Sequence, residues 1–249
     1  MKISIIIPAR NEERFIQKLI GYLNGLETGG FSKEIIVVDG MSTDRTVRLA
    51  KDAGAIVLQP KLKGRSTQLN LGAEAATGDI YYFLHADTFP PESLFYDLQE
   101  AIQANFEAGC YQLSFDSSHW FLKLNAWFSR FNLNAFRYGD QSLFVTKTAF
   151  EHIAGYDREM KILEDNEVIT RLKKYVRFKL INKVVVTSSR KYMEHGVFRL
   201  QFSYYLIYML YKLGGSQHFL LKIYRFLLGK PWTLLPVVAY CFDHCIRTG

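Results

Sequence analysis

Short apolar runs alternate with segments of helical periodicity along the first third of the chain. Each run is four or five residues long, is rich in Ile, Val or aromatic residues and ends near a turn signal, as buried strands do. Strands that alternate with helices favour an α/β fold with a mostly parallel sheet whose two faces are covered by helices. The four predicted strands are Ile3–Ile7, Glu34–Val38, Ala55–Leu58 and Ile80–Leu84.

The remainder of the chain is less regular. Helices are predicted after Pro90-Pro91, to about Asn105, and from Asp165 to Tyr175, and residues 143–145 and 178–186 have strand patterns. Residues 109–139 show no readable pattern. A mixed sheet flanked by helices is therefore expected up to about residue 190, where a basic, aromatic segment follows.

Polar residues follow three of the predicted strands. Asn11, Asp39 and Asp87 each lie just beyond a strand end. Because ligands of open α/β sheets gather at the carboxyl ends of the strands, we expect the three to meet at one edge. Asn11 also has the character of a helix cap, which would place Glu12 and Glu13 in the first helical turn.

The amino-acid composition indicates the class of protein to which the chain belongs. The 249 residues suit one large domain or two small ones, and 49% apolar with 22% charged residues is typical of a globular chain. The three cysteines are too few and too scattered for a disulfide framework. Pro8 and Arg10 interrupt the apolar run that a signal peptide would need, so we expect a reducing, cytoplasmic setting.

Charge is distributed unevenly. Residues 171–249 hold 14 Lys and Arg against two acids, a net charge of +12, whereas residues 1–170 carry −5. Twelve of the 54 residues from 196 onward are Phe, Tyr or Trp, and the uncharged runs Leu200–Tyr211 and Pro231–Phe242 are 12 residues each. These runs are shorter than the roughly 20 residues that cross a bilayer. Peripheral contact with an anionic membrane and packing of the aromatics on the protein are both compatible with this pattern.

Several acids are candidates for chemistry. Asp39 and Asp44 flank a strand-to-helix turn, where they can close the turn and cap the helix, or where Asp39 can bind a base or ribose. Asp87 follows a buried strand. Together with His85 it can hold Mg²⁺ or Mn²⁺ on a diphosphate; alternatively, Asp87 is a turn residue. Glu164 and Asp165 begin a helix, where acids stabilise the terminus or one of them serves as a general base.

Five motifs occur in order along the chain: Ile5–Glu12, Val37–Asp44, Gly78–Asp87, Gly155–Asp157 and Glu164-Asp165. Together they resemble those of the family 2 glycosyltransferases, over residues 3 to about 190. The finer patterns Leu-His-Ala-Asp-Thr, Gly-Asp-Gln and Ser-Arg-Lys-Tyr are similar to those of a bacterial subgroup associated with radical-SAM and selenodomain proteins.

The resemblance implies a GT-A fold at residues 1–190 and inverting transfer of a sugar from a nucleotide sugar with Mg²⁺ or Mn²⁺. From their composition, residues 191–249 are expected to be a basic, aromatic helical extension that is packed on the body or membrane-associated. A UDP- or GDP-sugar donor and an unknown hydroxyl acceptor, lipid-linked if the extension binds membrane, are expected. The implied roles are nucleotide binding by Pro8, Arg10, Glu12 and Asp39, metal binding by Asp87, and base catalysis by Asp165 with Glu164 beside it.

Two residues depart from the family pattern. His85 stands where the family usually has the first Asp of Asp-x-Asp, which makes it a second candidate metal ligand. Leu69 stands where many members have an Arg, and Arg65, one helical turn earlier on the same face, is expected to contact phosphate instead.

Other functions fit the residues less well. A sugar-nucleotide pyrophosphorylase would have a Gly-rich, Arg-containing loop after the first strand, which Ala9–Glu12 does not supply. A non-catalytic scaffold at the membrane is favoured by His85 but not by the acids that are kept. Nucleic-acid binding is not expected, because the basic residues are spaced among large aliphatics.

Overall fold

A computed structural model describes residues 1–137 and 139–229. The described chain divides into two compact units, one of residues 1–190 and one that begins at Lys191. The strands are β1 (Lys2–Ala9), β2 (Ser32–Asp39), β3 (Ile56–Leu58), β4 (Ile80–Phe83), β5 (Thr88–Phe89), β6 (Ala108–Phe115), β7 (Leu143–Thr146) and β8 (Phe178–Thr187). The helices are α1 (Ile16–Gly25), α2 (Thr46–Asp52), α3 (Arg65–Ala75), α4 (Leu94–Gln103), α5 (Trp120–Phe128), α6 (Lys147–His152), α7 (Glu164–Tyr175), α8 (Arg190–His195), α9 (Val197–Lys212) and α10 (Gln217–Leu227).

The first unit is built on a mixed sheet of eight strands. Its order is β3-β2-β1-β4-β7-β6-β8-β5. The first four strands in this order run parallel, β7 is antiparallel to both β4 and β6, and β6 is parallel to β8. The expected mixed, mostly parallel sheet is confirmed, and β1 lies in its interior between β2 and β4.

Successive residues of β1 enter two different cores. Ile5 and Ile7 pack with α1, α2 and α4 on one face of the sheet, whereas Ile6 packs with α3, α6 and α7 on the other. Because side chains alternate across a strand, a strand covered on both faces must be apolar throughout. This is the physical reason for the continuous Ile run at the start of the sequence.

The structure corrects the predicted start of the first helix. Asn11 adopts a left-handed conformation (φ 56°), and α1 begins only at Ile16, without an acidic residue in its first turn. The Asn11 side chain accepts a hydrogen bond from the backbone N–H of Thr43 (2.9 Å) instead of capping the helix. The prediction of an Asn11 cap with Glu12 and Glu13 in the first turn is therefore wrong, because this loop is bonded to the β2–α2 turn.

Residues 109–139, which show no readable pattern in the sequence, contribute to a strand and contain a helix. Residues 108–115 form β6, which inserts between β7 and β8, and residues 120–128 form α5. β6 shifts register against β8 between Tyr111 and Gln112. This irregularity breaks the strict alternation by which a strand is recognised in a sequence.

The second unit consists of helices in its described part. Arg199 of α9 donates a hydrogen bond from Nε to the carbonyl of Leu227 (2.6 Å), and the rings of Tyr204 and Tyr224 stack 6.1 Å apart. No helix among residues 1–137 and 139–229 is long and apolar enough to cross a membrane. The apolar run Pro231–Phe242 and the cysteines at 241 and 245 lie outside the described residues.

Candidate functional site

The carboxyl edge of β1 and β2 is held together by polar side chains. Asp39, the register partner of Ala9 at the end of β2, is fully buried. Its carboxylate accepts hydrogen bonds from the backbone N–H of Ser42 (3.2 Å) and from Nε2 of Gln59 (3.1 Å). Asp44 accepts from the backbone N–H of Thr46 (3.0 Å), the first residue of α2. Asp39 thus closes the turn after β2, whereas Asp44 binds the first backbone N–H of α2 from the position before the N-cap residue, Arg45.

Arg190 joins two other predicted site residues at this edge. Its guanidinium donates to both carboxylate oxygens of Glu12 (2.9 and 3.0 Å) and lies 3.8 Å from Oδ2 of Asp87. The same guanidinium lies over the ring of Phe15, 5.2 Å from its centroid. Residues from the ends of β1, β4 and β8 therefore meet here, and a cation stands beside the carboxylate that was predicted to bind metal.

A second cluster surrounds Arg65, the first residue of α3. Its Nε lies 3.2 Å from Oε1 of Glu164 and 3.9 Å from Oδ2 of Asp165, and its terminal nitrogen contacts Nε2 of His85. The other ring nitrogen of His85, Nδ1, lies 2.7 Å from Oδ1 of Asp140. The Arg65 guanidinium thus faces the carboxylates of Glu164 and Asp165, and the His85 ring lies between Arg65 and the carboxylate of Asp140.

The acids of this cluster are positioned by the start of α7. Leu163 adopts a left-handed conformation (φ 64°), and Glu164 and Asp165 then form the first turn at the positive end of the helix. Burial and the neighbouring carboxylate of Asp165 raise the pKa of Glu164, and the charge of Arg65 opposes that rise. Burial disfavours the charged form of Arg65, but Asp165, Glu164 and Asp140 outweigh it and raise the Arg65 pKa.

The backbone of Gly139 lies close to both the Asp165 carboxylate and the His85 ring. A Cβ at this position would overlap the carboxylate of Asp165 and the ring of His85. Its loop is anchored by Arg137, which is fully buried and donates to the carbonyls of Ser129 (2.8 Å) and Phe131 (2.6 Å). Only a residue without a side chain allows the backbone to pass this close to the candidate base.

The predicted nucleotide-binding residues lie around the same edge. A small cavity contains Pro8, Arg65, His85, Gly139 and Asp165 in its lining, so the end of β1 and the candidate base share one space. Arg10 is exposed just beyond β1. The structure thus brings Arg65 and the acids of α7 together, and it brings Glu12 near Asp87 through Arg190.

The side chains at this edge of the sheet limit where a divalent cation could bind. In the described part of the chain, no group of three or more His, Cys, Asp or Glu side chains could hold a metal. Both ring nitrogens of His85 already face protein groups, so His85 could bind a metal only after leaving one of them. One carboxylate, Asp87, fits a cation that takes its other ligands from substrate phosphates and water, as Mg²⁺ commonly does.

Three site residues were not among the predicted ones. Asp140, Gly139 and Arg190 all contact predicted site residues. The only sequence signal for them was their place in the Gly-Asp-Gln and Ser-Arg-Lys-Tyr patterns, which carry no chemistry by themselves.

Comparison with known proteins agrees with this geometry. The model of glycosyl transferase family 2 matches residues 4–162, well over half of the chain. The chain belongs to this family. The family assignment made from the five motifs is therefore confirmed.

Two curated relatives in this family match parts of the chain. The dolichol-phosphate mannosyltransferase of Pyrococcus furiosus is 34% identical over 109 residues, which cover 41% of this chain and 30% of that protein. The glucosyl-3-phosphoglycerate synthase of Mycolicibacterium smegmatis is 34% identical over 101 residues, which cover 37% of this chain and 33% of that protein. The matched part thus spans about a third of the length of these relatives.

Solved structures show the same fold. The mannosyltransferase PcManGT from Pyrobaculum calidifontis, in complex with GDP-Man and Mn²⁺, superposes with a TM-score of 0.67 at 17% identity, covering 99% of this chain and 75% of that one. TarS of S. aureus, in complex with UDP-GlcNAc, gives 0.60 at 16% identity, covering 76% and 58%. The GT-A fold expected for this family member is confirmed.

Proposed function

We propose that the chain is an inverting glycosyltransferase that moves a sugar from a nucleoside-diphosphate sugar to a hydroxyl acceptor. The observation that carries the proposal is the pair Glu164 and Asp165 beside Arg65, with Asp165 and Arg65 lining a cavity that also contains Pro8 of β1. Membership in family 2 and the GDP-Man and UDP-GlcNAc bound by neighbours of the same fold support a nucleotide-sugar donor. In this proposal, residues 1–190 are the transferase domain.

Asp165 is the general base in this proposal. Its Oδ2 is 3.9 Å from Arg65, whereas Glu164 is engaged at 3.2 Å, and 18% of the Asp165 side chain is exposed against 10% of Glu164, so Asp165 is the more accessible carboxylate. Asp165 removes the proton of the acceptor hydroxyl while the acceptor oxygen attacks the anomeric carbon. The bond from that carbon to the diphosphate oxygen breaks, and the diphosphate leaves with the bonding electrons.

Two sets of residues serve the leaving diphosphate. Arg65 and Arg190 are the cations nearest to the candidate base and to Asp87, and they are assigned to phosphate binding. Asp87 would hold Mg²⁺ or Mn²⁺, and a bound cation supplies charge stabilisation to the departing diphosphate. Mn²⁺ in the PcManGT complex supports a divalent cation. Asp39 and Glu12 are assigned to the base and ribose side of the donor.

The proposal also covers the subgroup of the family and the alternative of a scaffold without catalysis. Membership in the radical-SAM and selenodomain-associated subgroup is supported by the contacts of Asp140 and Arg190, which belong to its sequence patterns. A binding-only scaffold is disfavoured, because the structure gathers Asp165, Glu164 and Arg65 in one cluster.

The test separates donor binding from turnover. A thermal-shift screen of UDP-, GDP-, dTDP- and CMP-sugars, each with and without Mn²⁺ or Mg²⁺, identifies the donor, because a ligand of the native state raises the melting temperature. Asp165→Asn is then expected to lower donor turnover by about 10²–10⁴-fold with donor binding retained. Glu159→Gln, an exposed acid, is the matched control. Parental turnover by Asp165→Asn would show that another group is the base.

A further inference from the structure

Helix α5 and the residues after it expose a row of large apolar side chains. Trp120, Leu124 and Trp127 are spaced by four and three residues, so they share one helix face. Phe131 and Leu133 continue the row beyond the helix. We call these five residues the α5 ridge; their exposed fractions, in chain order, are 63, 43, 43, 40 and 58%.

The ridge is presented by a fixed element. On the opposite side of α5, Leu122 is fully buried, and Oγ of Ser129 accepts a hydrogen bond from the backbone N–H of Leu113 in β6 (2.8 Å). The rings of Trp127 and Phe131 lie 5.0 Å apart. Since α5 is fastened to the sheet by its other side, the exposure of the ridge follows from the way the helix packs.

The charged residues of the segment that forms the ridge have one sign. Residues 117–137 contain three basic residues and no Asp or Glu. Lys123 and Arg130 are exposed, and the Arg130 guanidinium lies 5.1 Å from the Trp127 ring centroid. Tryptophan and phenylalanine edged by cations suit the boundary between acyl chains and anionic headgroups, where the rings enter the apolar side and the cations meet phosphate.

We propose that the α5 ridge docks the protein on an anionic lipid surface, and that the acceptor hydroxyl belongs to a molecule held in that surface. The second part rests on the proposed transfer function. Arg137 links the ridge to the site: it donates to the carbonyl of Phe131, and it donates to Oε1 of Gln141 (2.9 Å), next to Asp140 and Gly139. Docking of the ridge would thus place a lipid surface against the loop that contacts the candidate base.

A separate observation in the second unit supports the same occupant. On α9, the exposed residues Phe198, Phe202, Tyr205, Met209 and Leu213 recur at intervals of three and four, and so follow one helix face. Residues 195–229 contain four Lys and Arg and no Asp or Glu. Each unit therefore has a helix face with exposed aromatic residues in a segment that contains basic residues and no acids. Anionic lipid attracts faces of this kind.

The experiment is sedimentation of the full chain with lipid vesicles. Vesicles of phosphatidylcholine mixed with phosphatidylglycerol are compared with phosphatidylcholine alone, for the parent, for the double variant Trp120→Ser/Trp127→Ser and for the control Tyr175→Ser. Tyr175, the last residue of α7, is exposed by 63%, as Trp120 is, but it is not a ridge residue and its ring packs edge-on against His152 (5.3 Å). We expect binding to anionic vesicles that falls about tenfold or more in the double variant and stays unchanged in the control.

A charge variant and a donor measurement complete the test. Lys123→Gln/Arg130→Gln is expected to weaken binding to anionic vesicles and to reduce its dependence on salt. The donor-induced thermal shift without vesicles is expected to be the same in the ridge variants and the parent. Absence of parental binding to anionic vesicles, or equal binding by the Trp variant, would overturn the docking proposal while leaving the donor result intact. A parental dimer that the Trp variant dissociates, measured by light scattering without lipid, would assign the ridge to a second copy and also overturn it.

Discussion

Replacing Arg65 by Met removes the cation that faces both acids at the start of α7. Arg65 Nε lies 3.2 Å from Glu164, and at an effective dielectric constant of about 20 such a pair attracts by about 5 kcal/mol. Because 31% of the Arg65 side chain is exposed, water screens part of this attraction. We therefore expect the pKa of Glu164 to rise further in the variant, and the lost attraction to be on the order of 1 kcal/mol after screening.

The sign of the pH dependence follows from linkage. Burial and Asp165 raise the pKa of Glu164 in the folded protein, so the native state holds this proton more tightly than the unfolded chain. The stability that the protonated acid contributes is present below the unfolded pKa of about 4.5 and is lost as pH rises through the folded value. Arg65→Met moves the folded pKa further up, and the variant is thus expected to lose more stability at pH 8 than at pH 5.

The assay is thermal unfolding of parent and variant between pH 5 and pH 8. A difference on the order of 1 kcal/mol corresponds to about 2–4 °C in melting temperature for a chain of this size. Arg65→Lys keeps the charge and is expected to restore most of the parental pH dependence. Arg158→Met, which removes an exposed ion pair with Glu74, is the control for loss of any arginine. Equal depression of the Arg65→Met melting temperature at both pH values would refute the electrostatic role and leave only a packing role.

Three further substitutions test other parts of the site. Asp87→Ala is expected to remove the part of donor affinity that depends on Mn²⁺ or Mg²⁺, measured by calorimetry with and without the cation; an unchanged cation effect would place the metal elsewhere. Gly139→Ala puts a Cβ into the space of the Asp165 carboxylate and the His85 ring, so we expect turnover to fall about 10²-fold. Parental kinetics in this variant would contradict the close approach of the Gly139 backbone to these two side chains. Arg137→Met leaves buried carbonyl oxygens without a donor and is expected to cost about 2–4 kcal/mol in urea unfolding; a loss below about 1 kcal/mol would show that the loop does not depend on this arginine.

Local patterns predicted the part of the fold whose residues are buried on both sides. The first, second and fourth strands were recognisable because β1, β2 and β4 lie in the sheet interior between two helical layers, which requires apolar residues throughout. β6 was missed for the opposite reason. It contains Gly109 and Gln112 and shifts register beside the latter, so neither continuous burial nor strict alternation is visible in its sequence.

The site was predictable to the extent that it follows strand ends. Asp39 and Asp87 lie at the expected edge, and Glu164 and Asp165 begin a helix as their sequence indicated. The pairing of His85 with Asp140 and Arg65 could not be read from the chain, because the three residues are 20 to 75 positions apart. The assignment of His85 to metal and of Arg65 to phosphate was made without knowledge of which protein groups face them.

The sequence by itself determined the alternation of strands and helices, the family, and the acids that stand at strand and helix ends, because these depend on local periodicity and on neighbouring residues. Tertiary structure decided which charges meet: Arg190 came to bridge Glu12 and Asp87, and Arg65 came to face Glu164 and Asp165. The reason is that burying a charge costs free energy unless an opposite charge lies within a few ångströms, and only the folded chain brings such distant residues that close.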